Sequence, residues 1–318
     1  MKRLTLLLGL FILALLLSSS QYATAGHSTL FVAYYESWAS EYHGGLDRAI
    51  VDVPPAVTIL NLAFMRPDAT YTGGFDLSGT GLDLPYSGAV LKSSIDELKR
   101  GSPGTKVLIS VGGAAYGRWH DLNVEAVARF VSEFGLDGVD LDFEPAITAC
   151  QRVAGQVTCG SDTDLLRAVE AMRAAVPRPT ILSLTAQGTA AFGEASWSTA
   201  RPEGGPSYGM LLKLLRDPYR LQGIDLINIL AYDCGPELDP LTAYEAFRHY
   251  FKGQLTIGFT PPPEAWGTHA YTEREIKRIL KSTLTRGADG AMLFGLKKDN
   301  AENQFAKVIA ETLGRTSP

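Results

Sequence analysis

The chain has 318 residues, with 29 basic against 34 acidic side chains, a net charge of −5, and a 46% hydrophobic share. No basic run or patch appears, so nucleic acid is not an expected partner. Three cysteines and five histidines in no zinc-type spacing leave no metal or cofactor to be expected.

The first segment reads as an export signal. Lys2 and Arg3 precede an apolar run from Leu4 to Leu17, broken by Thr5 and Gly9. Ser18 to Ser20 and then Ala23-Thr24-Ala25 follow. This charged, apolar, small-residue order predicts a signal peptide over 1–25 with cleavage after Ala25. The run is too short for a comfortable membrane span. A secreted protein, extracellular or periplasmic, is therefore expected, with no membrane attachment after signal removal.

The remaining chain, 26–318, shows no linker and no fixed repeat, and suits one large barrel or two ordinary domains. Strand-like runs occur at Leu30–Tyr35, Val57–Phe64, Lys106–Val111, Gly138–Phe143, Thr180–Thr185, Asp225–Ala231, Leu255–Phe259 and Gly290–Phe294. Helical periodicity falls between them, at Ala89–Lys99, Val124–Phe134, Asp164–Ala174, Tyr208–Leu215, Ala243–Tyr250 and Glu273–Leu284, and at the end over Ala301–Leu313. Eight mostly apolar strands separated by helices predict a parallel sheet. The count and length predict a single-domain α/β fold, a (β/α)8 TIM barrel over 26–318. An open doubly wound sheet that bound a nucleotide would need a phosphate-type glycine loop after an early strand, and none is present.

The fourth strand carries the most information. Residues 137–144 read Asp-Gly-Val-Asp-Leu-Asp-Phe-Glu. Successive strand side chains point to opposite faces, so Asp140, Asp142 and Glu144 share one face and Val139, Leu141 and Phe143 the other. Alternate side chains lie roughly 7 Å apart, so three ionised carboxylates would repel. Their pKa values should be pushed apart, which is how one site supplies both an acid and a base near neutral pH. In a barrel of this kind the chemistry sits at the C-terminal strand ends, with Glu144 outermost and Asp140 deepest. Asp137 is expected to brace the start of the strand.

Cys150 and Cys159 bracket a short polar segment after this strand and could close a disulfide in an oxidising compartment; Cys234 is left over. All four tryptophans, Trp38, Trp119, Trp197 and Trp266, follow strand runs and should cluster on one face. Flat rings with a polar edge suit sugar faces.

The octapeptide resembles the Asp-Gly-x-Asp-x-Asp-x-Glu signature of glycoside hydrolase family 18, the chitinases and endo-β-N-acetylglucosaminidases. Supporting likenesses fall in order along the chain: Ala33-Tyr34-Tyr35, Ser110-Val111-Gly112-Gly113, Leu230-Ala231-Tyr232-Asp233, and Gly290-Ala291-Met292-Leu293-Phe294. Ala33, Leu230 and Phe294 stand where the family usually has Gly, Met and Trp. The resemblance implies hydrolysis beside N-acetylglucosamine in a polysaccharide or glycan, with retention and with the substrate's own acetamido oxygen as nucleophile. Glu144 would be the general acid and then the base. Asp142 would hold the acetamido N–H, Asp140 beside Ser110 would tune Asp142, even by sharing its proton, and Tyr232 would hold the acetamido oxygen. Tyr34, Asp233, Ser110, Gly112, Gly113, Phe294 and the four tryptophans would form the binding surface. A glycoprotein-directed endo-β-N-acetylglucosaminidase and a catalytically inactive chitin-binding lectin on the same barrel are the alternatives. A monomer is expected.

Overall fold

The computed structural model describes residues 29–266, 269–299 and 304–315. The predicted signal segment 1–25 lies outside them. The described residues form ten strands: β1 (Leu30–Glu36), β2 (Ile59–Met65), β3 (Lys106–Gly112), β4 (Gly138–Asp142), β5 (Gln151–Val153), β6 (Gln156–Thr158), β7 (Ile181–Gln187), β8 (Leu226–Leu230), β9 (Gln254–Phe259) and β10 (Gly290–Leu293). Eight of them close a barrel in the order β1-β10-β9-β8-β7-β4-β3-β2. Every neighbouring pair in it is parallel. This is the expected TIM barrel.

The helices are α1 (Arg48–Val51), α2 (Gly88–Gly101), α3 (Val124–Phe134), α4 (Asp162–Ala175), α5 (Leu212–Leu215), α6 (Pro218–Leu221), α7 (Pro240–Tyr250), α8 (Glu273–Thr285) and α9 (Gln304–Thr312). α3 shows how the sequence builds them. Asn123 caps its start by accepting from Ala126 N–H, and Ala126, Val127, Phe130, Val131 and Phe134 recur at helical spacing on its buried face. Val139 and Leu141, on the strand face opposite the acids, are fully buried in the same apolar core as that helix face. No described helix is long and apolar enough to cross a membrane.

Two segments differ from expectation. The helix read over Tyr208–Leu215 shortens to α5, one turn beginning at Leu212. Gly209 has φ +76°, and a Cβ there would meet Val157 and the Phe192 carbonyl at 2.8 and 2.9 Å, so the chain turns before it can coil. The segment after β4 is not plain loop. Antiparallel β5 and β6 form a hairpin, and the Cys150–Cys159 disulfide closes it with Cα atoms 3.9 Å apart. Arg152 donates to the Ser198 carbonyl at 2.7 Å. Arg216 pairs with Glu194 and donates to the Val157 carbonyl at 3.1 Å. These bonds dock the hairpin beside the barrel mouth.

Candidate active site

The floor of the site is Asp140, fully buried inside the barrel. Register places it between Ser110 of β3 and Ser183 of β7. Its Oδ2 accepts from Tyr34 Oη and Ser110 Oγ, both at 2.7 Å. Its Oδ1 accepts from Ser183 Oγ at 2.5 Å and Thr185 Oγ1 at 2.9 Å. The network runs on through Asn228, which donates to Thr185 at 2.9 Å and accepts from Thr256 at 2.7 Å. Three strands thus spend four hydroxyls on one carboxylate. Asp140 acts on Asp142, one step higher on the same face, through its charge.

Asp142 sits one step higher and is 3% exposed, and its Oδ1 has no hydrogen-bond partner. Burial, then the charges of Glu144 and Asp140, push its carboxyl well above the usual range. Glu144 is half-buried at the mouth. Burial raises its carboxyl too and Asp233 adds to the shift, while a hydrogen bond from Gln187 Nε2 at 3.3 Å opposes it. The acidic strand face therefore presents two carboxyls that hold protons unusually well.

Facing them is a run of near-parallel rings. Tyr232 stacks on Phe294 at 5.9 Å, Phe294 on Phe64 at 6.3 Å, and Phe64 on Trp38 at 5.8 Å. These rings, Asp142, Glu144 and Trp266 line a cavity of about 370 Å³. A second cavity of about 680 Å³ meets it at Glu144, Asp233 and Trp266, and continues towards Pro202 and Ser207. At the lip, Asp233 accepts from the Trp266 N–H at 2.8 Å, and its own N–H donates to Glu264 at 3.0 Å.

With this geometry in hand, similarity to known proteins is specific. The sequence profile of "Glycosyl hydrolases family 18" matches residues 30–262. The chain belongs to this family. Exochitinase 1 of Streptomyces olivaceoviridis is 26% identical over 216 residues, covering 62% of this chain and 35% of that protein. The chain spans about a third of the length of the curated relatives it matches. The solved family 18 chitinase of Chromobacterium violaceum superposes with a TM-score of 0.64 at 16% identity, over 90% of this chain and 84% of its own. Human YKL-39, described as a pseudo-chitinase with retained chitooligosaccharide binding, superposes at 0.62 with 12% identity, over 90% of this chain and 100% of its own.

The family motifs do not all reach the cleft. Tyr34 and Ser110 are fully buried and spend their hydroxyls on Asp140. Gly112 and Gly113 sit behind the wall. A Cβ on Gly112 would meet the Asp142 carbonyl and the Trp119 ring, both at 2.3 Å, and one on Gly113 would meet the Phe64 ring at 2.7 Å. They are glycines because aromatic rings and the strand-four backbone press on them. Trp119 is 1% exposed and packs on Phe143 at 4.8 Å, so it is a core residue. Trp197 lies against His249 at 5.2 Å and lines neither cavity. Only Trp38 and Trp266, 50% and 59% exposed, stand at the mouth. The expected cluster of four tryptophans is therefore a pair, because the other two bury loop segments against the protein.

Gln187 and Phe64 line the cleft and escaped the sequence reading. A signal for Gln187 was present. Ser183, Thr185 and Gln187 alternate along β7, with Ser183 and Thr185 in register with Asp140 and Asp142 of β4, and Glu144 follows two residues beyond that strand. Among the described residues, no group of three or more His, Cys, Asp or Glu could hold a metal ion.

Proposed function

We propose that this chain is a secreted, monomeric, retaining glycoside hydrolase that cleaves β-1,4 links beside N-acetylglucosamine, in chitin or chito-oligosaccharides, by substrate-assisted catalysis. The observation that carries the reading is the pair of proton-retaining carboxyls, Asp142 and Glu144, above an aromatic wall ending in Tyr232 and Phe294. A solvated binding surface has no need of two desolvated acids.

In this reading the sugar beside the scissile bond lies against Phe294, its apolar face on the ring. Glu144 gives its proton to the glycosidic oxygen as the bond to the anomeric carbon breaks. The acetamido carbonyl oxygen of the same sugar attacks that carbon and closes an oxazolinium ring. Asp142 Oδ1, which lacks a partner in the free protein, accepts the acetamido N–H and offsets the positive charge. Tyr232 orients the acetamido oxygen, so that attack is effectively intramolecular. Glu144, now a carboxylate, takes a proton from water that opens the ring. Two inversions at one carbon give net retention.

Incubating the protein with N-acetylglucosamine oligomers and, separately, with a high-mannose glycoprotein distinguishes the enzyme classes. Shortened oligomers of retained anomeric configuration support the chitinase reading. Release of glycan alone would replace it with endo-β-N-acetylglucosaminidase action, and binding without products would leave a lectin. Export is tested by sequencing the secreted N-terminus, which should begin at Gly26.

A further inference from the structure

Cys234 has no place in the mechanism above, yet it touches it at one remove. It is a free thiol at the end of the Tyr232-Asp233 segment. Its Sγ lies 2.8 Å from Gln187 Oε1, with the Tyr232 and Leu230 carbonyls farther off at 3.2 and 3.5 Å. The other end of the same amide, Nε2, donates to Glu144 Oε2 at 3.3 Å. Gln187 is 8% exposed at the end of β7, and all three side chains line the second cavity.

An amide presents a donor at one end and an acceptor at the other. Turned over, it would offer Glu144 an oxygen instead of an N–H. We propose that Cys234 is a positioning residue: its S–H, donated to Gln187 Oε1, fixes the amide so that Nε2 faces Glu144 and limits how tightly Glu144 keeps its proton. The inference deepens the hydrolase reading of this site and rests on it.

The direction of the effect follows from the partners. A donor facing Glu144 favours its carboxylate, whereas a carbonyl oxygen facing it favours the protonated acid. Among the described residues lining its two cavities, the other groups oppose ionisation or are neutral. Asp142 ends β4 two residues before it, Asp233 and Tyr232 come from the segment after β8, and Glu203 lies across the second cavity. Gln187 is thus the side chain that eases proton release, and an acid that never releases its proton cannot serve as base in the second half of the reaction. Burial pushes the Cys234 thiol up to about 12, so it stays a donor across the working range.

The test reads Glu144 directly. The full chain is labelled with carboxyl-13C glutamate, and the Glu144 resonance is assigned by its loss in Glu144→Gln. In Cys234→Ala the Glu144 titration midpoint should rise by roughly one pH unit, the size of one lost hydrogen bond to a charged group. Cys234→Ser, which keeps a donor, should recover at least half of that. Gln187→Leu should raise the midpoint as much, and adding Cys234→Ala to it should move it no further. The alkaline limb of kcat/KM on N-acetylglucosamine oligomers should move the same way, with KM little changed. An unmoved midpoint in Cys234→Ala, or an equal further shift in the Gln187→Leu background, overturns the proposal. Should Cys234→Ala not fold, an unmoved midpoint in Gln187→Leu alone overturns it. If the midpoint moves as expected but no substrate is hydrolysed, the hydrolase reading fails and the positioning of Glu144 stands.

Discussion

Asp142 and Glu144 stand two residues apart and differ in what surrounds them. Asp142 is sealed in the barrel with an unpartnered oxygen, while Glu144 reaches both cavities and has one amide donor. Their proposed roles follow from that difference. Glu144→Gln keeps the shape and the Gln187 contact but removes the transferable proton. Turnover should fall at least ~10²–10⁴-fold while oligomer binding, followed by calorimetry, persists. Asp142→Asn should also cripple turnover, because an amide cannot offset the oxazolinium charge; near-normal rates would contradict substrate assistance. At this scale the acidic face was legible because a strand's period of two makes Asp-x-Asp-x-Glu a statement about one face. What was not legible was depth. Tyr34 and Ser110 belong to the motifs, but whether a hydroxyl meets substrate or another side chain depends on strands far apart in sequence.

The elements that carry these residues are held by charges at the opposite end of the barrel. Asp137, just before β4, pairs with Lys99 of α2 at 2.6 Å and accepts from Val107 N–H of β3 at 2.9 Å. Burial would raise its carboxyl, but the Lys99 and Val107 bonds outweigh burial and hold it below the ordinary value. A depressed folded pKa stabilises above the unfolded value, near ~3.9 for Asp, and that contribution is lost as pH falls through the lowered folded value. Asp137→Asn should therefore cost about 1–2 kcal/mol at neutral pH, with the gap to the parent closing in strong acid and kcat at saturating substrate unchanged. A large kcat loss with intact stability would move Asp137 into the chemistry. The barrel strands were readable for the reason that makes them strong, since buried parallel strands are near-continuous apolar runs. The β5–β6 hairpin was not. Its residues are mostly exposed, and what fixes it is a disulfide and the Arg152 and Arg216 contacts, which leave no periodic trace.

Over the whole molecule two sets of carboxyls respond oppositely to pH, and this leads to a stability prediction. At the mouth, Asp142, Glu144, Asp233 and Glu264 all have carboxyls raised chiefly by burial. A raised folded pKa favours folding below the unfolded value, about 3.9–4.3. That contribution is lost as pH rises through the raised folded value, because the folded state must then hold charge it poorly solvates. Carboxyls held low, such as Asp137, Asp47 and Asp68, work the other way and lose their contribution in acid. The stability optimum should therefore lie on the mildly acidic side of neutrality, between the two sets. Asp142→Asn removes the most deeply buried member of the raised set. It should raise Tm at pH 7.5 and flatten the alkaline side of the Tm–pH curve, while leaving the acid side alone. Each tenfold change in proton affinity it abolishes is worth about 1.4 kcal/mol, which is about 2 °C in a chain of 318 residues. The same variant should be nearly inactive, so stability and catalysis would be seen to oppose each other at one carboxyl. Thermal scans of the parent and the variant from pH 4 to 9 read this directly. A parent most stable at alkaline pH, or an Asp142→Asn variant that melts lower at pH 7.5, would mean that Asp142 is held as a charge and that the desolvated acid face is not what tunes this site.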